Sequence, residues 1–321
     1  MSESIVWSEK YRPKKLSEII NQKHVIERIK AFVSDKNLPN MIFAGIPGSG
    51  KTTTALAIAR ELYGDSWRQN VLETNASDER GIDTIRNKVK DFARTRSFGN
   101  ASFKIIILDE ADALTTEAQQ ALRRTMESFT NTSRFILICN YSNKIIEPIQ
   151  SRCAVFRFKP LVDADIKKYV ERIVDGEKLK INEDAIKAVI EISEGDLRKV
   201  TNLMQTSAAM GTKITEDVVY DIASKAKPTD VKDMLEIALN GNFKKAREKL
   251  FDLMYKQGLA GSDIVSEIHR QIYSVNGLNE KDKVNLIEKC GEYEFRISQG
   301  ANELIQIEAL LSQFLLHSKK G

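Results

Sequence analysis

At 321 residues, with 42% hydrophobic and 29% charged positions, the chain carries ample material for a folded core, and its length predicts roughly two domains. Lysine plus arginine outnumber aspartate plus glutamate by 49 to 45, so the net charge of +4 neither demands nor forbids nucleic acid, and the placement of the charge matters more than its sum. The three cysteines, Cys139, Cys153 and Cys290, make no C-x-x-C pair and the three histidines do not cluster, which argues against zinc and for free buried thiols. No apolar run approaches the ~20 residues of a membrane span, and the opening "MSESIVWSEKYRP" lacks a secretory layout, so an intracellular protein with no membrane partner is expected.

Up to Pro160, short β-rich runs alternate with helical stretches: "NMIFAGI", "VLETNA", "FKIIILDEAD", "RFILICN" and "AVFRFKP" are the strand candidates. This alternation predicts an α/β core, a parallel sheet with helices on both faces. Continuous apolar runs such as Ile105 to Leu108 suit central strands buried on both sides. After Pro160 the apolar residues fall at helical spacing, which predicts a small helical domain over 161–227. Lys227-Pro228-Thr229 interrupts that pattern, and 228–321 reads as a second all-helical domain with its own core. The α/β domain then spans 1–160.

Within it, "GIPGSGKT" places Gly45, Gly50, Lys51 and Thr52 in the order G-x-x-x-x-G-K-[ST], after an apolar strand and before a helical run. The loop, with Pro47, Gly48 and Ser49 inside it and Thr53 following, turns backbone N–H groups toward phosphates at a helix N-terminus. Lys51 is expected to neutralise the β- and γ-phosphates of ATP, and Thr52 to ligate Mg²⁺. A glycine-rich turn is the plainer reading. "IIILDEAD" delivers Asp109 and Glu110 at the end of a buried strand, where ligands sit in open α/β sheets. Asp109 is suited to the Mg²⁺ shell and Glu110 to polarising the attacking water; alone, the pair would read as an acidic helix start. Asn140 ends another strand at the same edge, and Arg198 opens a helix after a Gly195-Asp196 turn and cap. In isolation these would be a turn asparagine and a surface arginine.

These blocks resemble the AAA+ ATPases, and more closely the replication factor C small subunits of sliding-clamp loaders. The resemblance covers the whole chain and rests on "WSEKYRP", the phosphate loop, "NASDERGID", "DEAD", "QQALRRTME", "SRC" and "GDLR". It implies that Tyr11 and Arg12 border the adenine, that Asn140 is sensor 1 and Arg198 sensor 2, and that 161–227 is a lid and 228–321 an oligomerisation collar. It also implies that Arg152 of "SRC" is an arginine finger entering the adjacent subunit's site. One departure is Asn21, where the family often has glycine, which bears on the pocket lining near Ile19 and Ile20. The implied partners are a replication factor C large subunit, further copies of the small subunit, a PCNA-type sliding clamp and primer–template DNA. A complete site together with a complete finger fits a subunit present in several identical copies, as in archaeal complexes.

Between Arg80 and Arg96 lie Arg80, Arg86, Lys88, Lys90, Arg94 and Arg96 against Asp83 and Asp91. Ile82, Ile85, Val89 and Phe92 make an apolar helical stripe with Arg86, Lys90 and Arg94 as a basic ridge beside it. The ridge reads as a solvated face or, with the resemblance, as a duplex-backbone contact led by Arg80, Arg86 and Lys90. A helix starting at Thr116, with Gln119 completing a T-x-x-Q capping box, carries Arg123 and Arg124, and its first turn is expected to touch the same DNA. Phe98 reads either as a core residue or as an exposed ring for docking on the clamp. The function expected is an ATPase that opens and loads the clamp. The alternatives are another AAA+ DNA motor or remodeller, and a scaffold that binds ATP without cleaving it. Localisation is expected to be cytoplasmic and nucleoid-associated for an archaeal source, nuclear for a eukaryotic one.

Overall fold

The computed structural model describes residues 6–77, 85–99, 101–211 and 213–317, with only the backbone of Ile85 and Arg86. The chain divides into two compact units, Met1–Leu179 with Ser193–Gln205, and Lys180–Ile192 with Thr206–Gly321.

The first unit is built on a five-stranded sheet, and the five runs expected from the sequence form it. The strands are β1 (Met41–Ala44), β2 (Val71–Asn75), β3 (Lys104–Asp109), β4 (Ser133–Cys139) and β5 (Ala154–Arg157). Their order is β2-β3-β4-β1-β5 and every pairing is parallel, with Ile42 opposite both Leu137 and Val155, and Ile106 opposite Leu72 and Phe135. Because side chains alternate across a strand, each run feeds two cores. Phe43, Ile105, Ile107, Ile136 and Ile138 pack with α1 (Lys23–Ser34) and the Ala55–Ala59 stretch of α2 (Lys51–Tyr63). Ile42, Ile106, Leu108, Phe135 and Leu137 face Ala118, Leu122 and Met126 of α3 (Thr116–Ser128). The doubly covered sheet leaves the C-terminal ends of β1, β3 and β4 side by side at one edge, the place where open α/β sheets hold ligands.

Helix α3 begins where expected, but its cap differs. Thr115 is the N-cap, and its Oγ1 accepts from the Ala118 N–H at 3.2 Å. Gln119 therefore completes no capping box. It is buried, donating to the carbonyls of Leu114 and Lys144 at 3.2 and 3.0 Å and accepting from the Ile146 N–H at 2.8 Å. Two helices follow the sheet, α4 (Asp163–Glu177) within this unit and α6 (Leu197–Ala209) within it as far as Gln205, the latter named after α5 (Glu183–Ser193).

The second unit is helical, with α5, α7 (Glu216–Ala223), α8 (Pro228–Leu239), α9 (Phe243–Phe251), α10 (Gly261–Gln271), α11 (Glu280–Ser298) and α12 (Glu303–Leu316). Pro228 opens α8, where its missing N–H costs nothing. Val231, Leu235, Leu250, Ile264, Ile268, Leu286, Ile307 and Phe314 form its core. The cysteines are free; Cys139 and Cys290 are buried and Cys153 half-buried. No helix among the described residues is long and apolar enough to cross a membrane.

Loss of the Thr115 hydroxyl should cost about 1 kcal/mol, whereas Thr116→Ala should stay within about 0.5 kcal/mol. Urea unfolding of the two variants measures the difference, and a larger loss in Thr116→Ala would return the cap to Thr116.

Candidate active site

The loop between β1 and α2 takes its shape from its glycines. Gly48 and Gly50 have φ of 66° and 94°, backbone that disfavours other residues. At Gly48 a Cβ would also come within 1.7 Å of Asp196 Oδ1, so the loop and the turn before α6 can approach only because the side chain is absent. Gly50 is the N-cap of α2 and has no side chain to occupy the first amides, which leaves them suited to an anion. The hydroxyls of Ser49 and Thr54 donate to the carbonyls of Ile46 and Gly50, both at 2.8 Å, bracing the loop from inside.

Lys51 is buried, at 7% exposure. Its Nζ donates to the Gly45 and Ile46 carbonyls at 2.8 Å each and to Asn140 Oδ1 at 3.3 Å. Burial draws its pKa below the ordinary lysine value, with the Asp109 carboxylate acting in the opposite direction. An ammonium short of solvation gains more than an exposed one from a polyanion. Thr52 Oγ1 donates to Asp109 Oδ2 at 2.7 Å, and Asp109 Oδ1 accepts from the Glu110 N–H at 2.9 Å. A hydroxyl beside a carboxylate is a set of hard oxygen donors, which fits Mg²⁺ held by one or two protein ligands plus phosphates. Glu110 is exposed and sits at φ 52°, a left-handed conformation costing ~1–2 kcal/mol outside glycine, which turns it off the end of the strand.

A cleft of about 350 Å³ collects these groups. Its lining includes Pro47, Gly48, Ser49, Gly50, Lys51, Thr52 and Thr53 from the loop, Asp109, Glu110 and Asn140 from the strand ends, and Arg198 from α6. Ser8, Glu9, Arg12, Pro13, Ile19 and Ile20 line it from the N-terminal segment, with Tyr169, Leu197 and Thr201. Asn21 has φ 54°, a left-handed conformation that asparagine tolerates better than most non-glycine residues, so it can stand where glycine is usual. Asp196 caps α6, its Oδ1 accepting from the N–H groups of Arg198 and Lys199 at 2.7 and 3.2 Å.

Three of the nucleotide-site candidates lie outside the cleft's lining. Gly45 precedes it, pressed against Phe158, whose carbonyl would stand 2.5 Å from a Cβ. Tyr11 is buried and donates to Glu177 Oε1 at 2.7 Å. Arg152 is held on its own chain's surface by Glu127 Oε1 at 2.8 Å, the Pro148 carbonyl at 2.7 Å and Ser151 Oγ at 3.3 Å. Arg80 lies outside the described residues, and Arg86 is described by its backbone alone. Lys90 and Arg94 are exposed on the short helix Lys90–Arg94, while Val89 and Ala93 are buried beneath. Phe98 is 57% exposed: Asn70 holds its backbone through both N–H and carbonyl, at 2.7 and 3.2 Å, with the ring outside the core.

Asp112, the last residue of "DEAD", supports the site although the motif itself gives it no role. Its Oδ2 accepts from the N–H groups of Asn140 and Tyr141, both at 3.2 Å, and so fixes the turn that presents the Asn140 amide.

Residues 41–161 match the family described as ATPase family associated with various cellular activities, and residues 226–313 match the Replication factor C C-terminal domain. A Methanococcus maripaludis protein named Replication factor C small subunit is 52% identical over 96% of this chain and 97% of its own length. One of the same name from Sulfurisphaera tokodaii is 51% identical over 100% of this chain and 98% of its own. The chain belongs to the replication factor C small-subunit family. It is an AAA+ ATPase that binds nucleotide. The Thermotoga maritima RuvB Holliday junction branch migration motor aligns at TM-score 0.56 over 95% of this chain and 90% of its own, at 19% identity, a likeness of fold alone.

Asp112→Ala should lower ATP turnover about tenfold or more by freeing the Asn140 turn, while nucleotide affinity stays within about twofold. Steady-state ATPase assays and equilibrium ATP binding measure the two effects, and a parallel fall in affinity would make Asp112 a binding residue instead.

Proposed function

We propose that the chain is the ATPase subunit of a clamp loader, which opens a PCNA-type sliding clamp and loads it onto primer–template DNA. The observation that carries this reading is the Lys51–Asn140 and Thr52–Asp109 cluster in a chain about half identical, end to end, to replication factor C small subunits.

In this reading the loop amides and Lys51 hold the phosphates of ATP, and Arg12, Ile19 and Ile20 wall the base. Mg²⁺, held by Thr52 and Asp109, would neutralise charge on the transferring phosphoryl oxygens. Glu110 orients and polarises the attacking water, Asn140 hydrogen-bonds it or the γ-phosphate as sensor 1, and Arg198 meets the phosphates as sensor 2. Arg152 serves a neighbouring copy. Its contacts on its own chain are exposed and weak, so it can be given up to a phosphate across a subunit boundary. Binding of ATP orders a ring through the 228–321 collar, joining a large subunit and further copies of this chain; hydrolysis then releases the closed clamp. Arg80, Arg86 and Lys90 track the duplex backbone without reading sequence. Relatives from archaea support a cytoplasmic, nucleoid-associated location; a eukaryotic source would mean the nucleus.

Arg152→Ala should leave ATP binding intact and lower turnover of the assembled complex by roughly 10³-fold or more. Unchanged turnover would make Arg152 a bystander. With the large subunit present, primer–template DNA and clamp together should stimulate ATPase beyond the sum of each alone. Stimulation by DNA regardless of clamp would point to a DNA motor instead.

A further inference from the structure

Tyr11 was expected against the base, yet its ring is buried at 7% exposure and its hydroxyl donates to Glu177 Oε1 at 2.7 Å. Lys10 Nζ reaches the same carboxylate oxygen at 2.9 Å. Glu177 is the last residue of α4, and the residue before it has no side chain: a Cβ on Gly176 would stand 2.3 Å from the Tyr11 oxygen. Four residues earlier than Tyr11, the Trp7 N–H donates to Gln205 Oε1 on α6 at 3.0 Å, and the two rings stand edge to face with centroids 6.4 Å apart. Between and beside these anchors, Ser8, Glu9, Arg12 and Pro13 line the cleft, with Tyr169 of α4 and Thr201 of α6.

The arrangement has the form of a fastening. The residues that touch the cleft alternate with residues whose polar atoms are spent on α4 and α6. We infer that Tyr11, Lys10 and Glu177 form a latch that holds the Trp7–Pro13 segment against α4 and thereby builds the base end of the nucleotide cleft. Tyr11 is then a positioning residue acting through Arg12 and its neighbours, and Gly176 is the gap that admits its hydroxyl. Burial, with the Glu177 hydrogen bond adding to it, pushes the Tyr11 pKa up to about 12, while Lys10 and Tyr11 draw Glu177 below the usual carboxylate range. The phenol thus stays the donor and the carboxylate the acceptor at physiological pH. The inference rests on the ATP reading of the cleft.

The test compares ATP with inorganic tripolyphosphate, which has no base, in equilibrium binding to the full chain assembled with its large subunit. Tyr11→Phe keeps the ring and removes the donor; Glu177→Gln keeps the shape and removes the charge. Each should weaken ATP about 3- to 10-fold while tripolyphosphate stays within about twofold, and Gly176→Ala should do the same. The Tyr11→Phe/Glu177→Gln double variant should bind ATP no more weakly than the worse single variant, since both act on the same Tyr11–Glu177 contact. ATP affinity unchanged in Tyr11→Phe but lost in Tyr11→Leu would overturn the latch in favour of a ring that borders the base. Equal weakening of both ligands would overturn it too, as general loosening of the fold. Unaltered ATP binding by Lys51→Ala would sink the phosphate site itself, an outcome distinct from failure of the latch.

Discussion

The hydrogen bond from Thr52 to Asp109 ties the first turn of α2 to the end of β3, and the rest of the site depends on that tie. It joins a loop that follows one strand to a carboxylate that ends another, and it does so because β4 alone separates β1 from β3 in the sheet. Lys51 makes the complementary tie to Asn140 at the end of β4. Three strand ends are thereby drawn around one point. The parallel sheet makes this possible: all strands finish at the same edge, and the apolar runs within them bury both faces so that only the ends remain for chemistry.

Around that point two carboxylates and an amide are spent on bracing the backbone. Asp109 spends one oxygen on Thr52 and the other on the backbone of Glu110, which holds Glu110 in its left-handed turn. Asp112 does for the Asn140 turn what Asp109 does for Glu110, by accepting two backbone N–H groups. Gln119 extends the bracing outward, through Lys144 and Ile146, toward the segment that ends in Arg152. The carboxylates and the amide position backbone, and the backbone positions the groups that meet substrate.

Much of this was legible in the sequence, for physical reasons. Ile105 to Leu108 announces a doubly buried strand because no residue in it tolerates water, and the glycines of the loop mark conformations and approaches that other residues cannot make. What could not be read depends on partners far along the chain or on equal local choices. Thr115 and Thr116 are adjacent and chemically identical, and only the path of the backbone decides which of them caps α3. Asp112 acts through main-chain donors, which leave no mark in a motif. Tyr11 meets a carboxylate 166 residues away, and Phe98 is turned outward by the side-chain amide of Asn70.

The division of the chain carries a further consequence. The first unit takes Met1–Leu179, yields Lys180–Ile192 to the second, and recovers Ser193–Gln205. The returning piece supplies Arg198 and the Asp196 turn that fits against Gly48. A growing polypeptide on the ribosome therefore has its sheet and phosphate loop complete well before the wall that α6 provides. The pocket can close only after α5 has been made and emerged, so ATP has no finished site to stabilise during most of synthesis. A single cut anywhere between Lys180 and Gln205 would likewise leave neither unit whole.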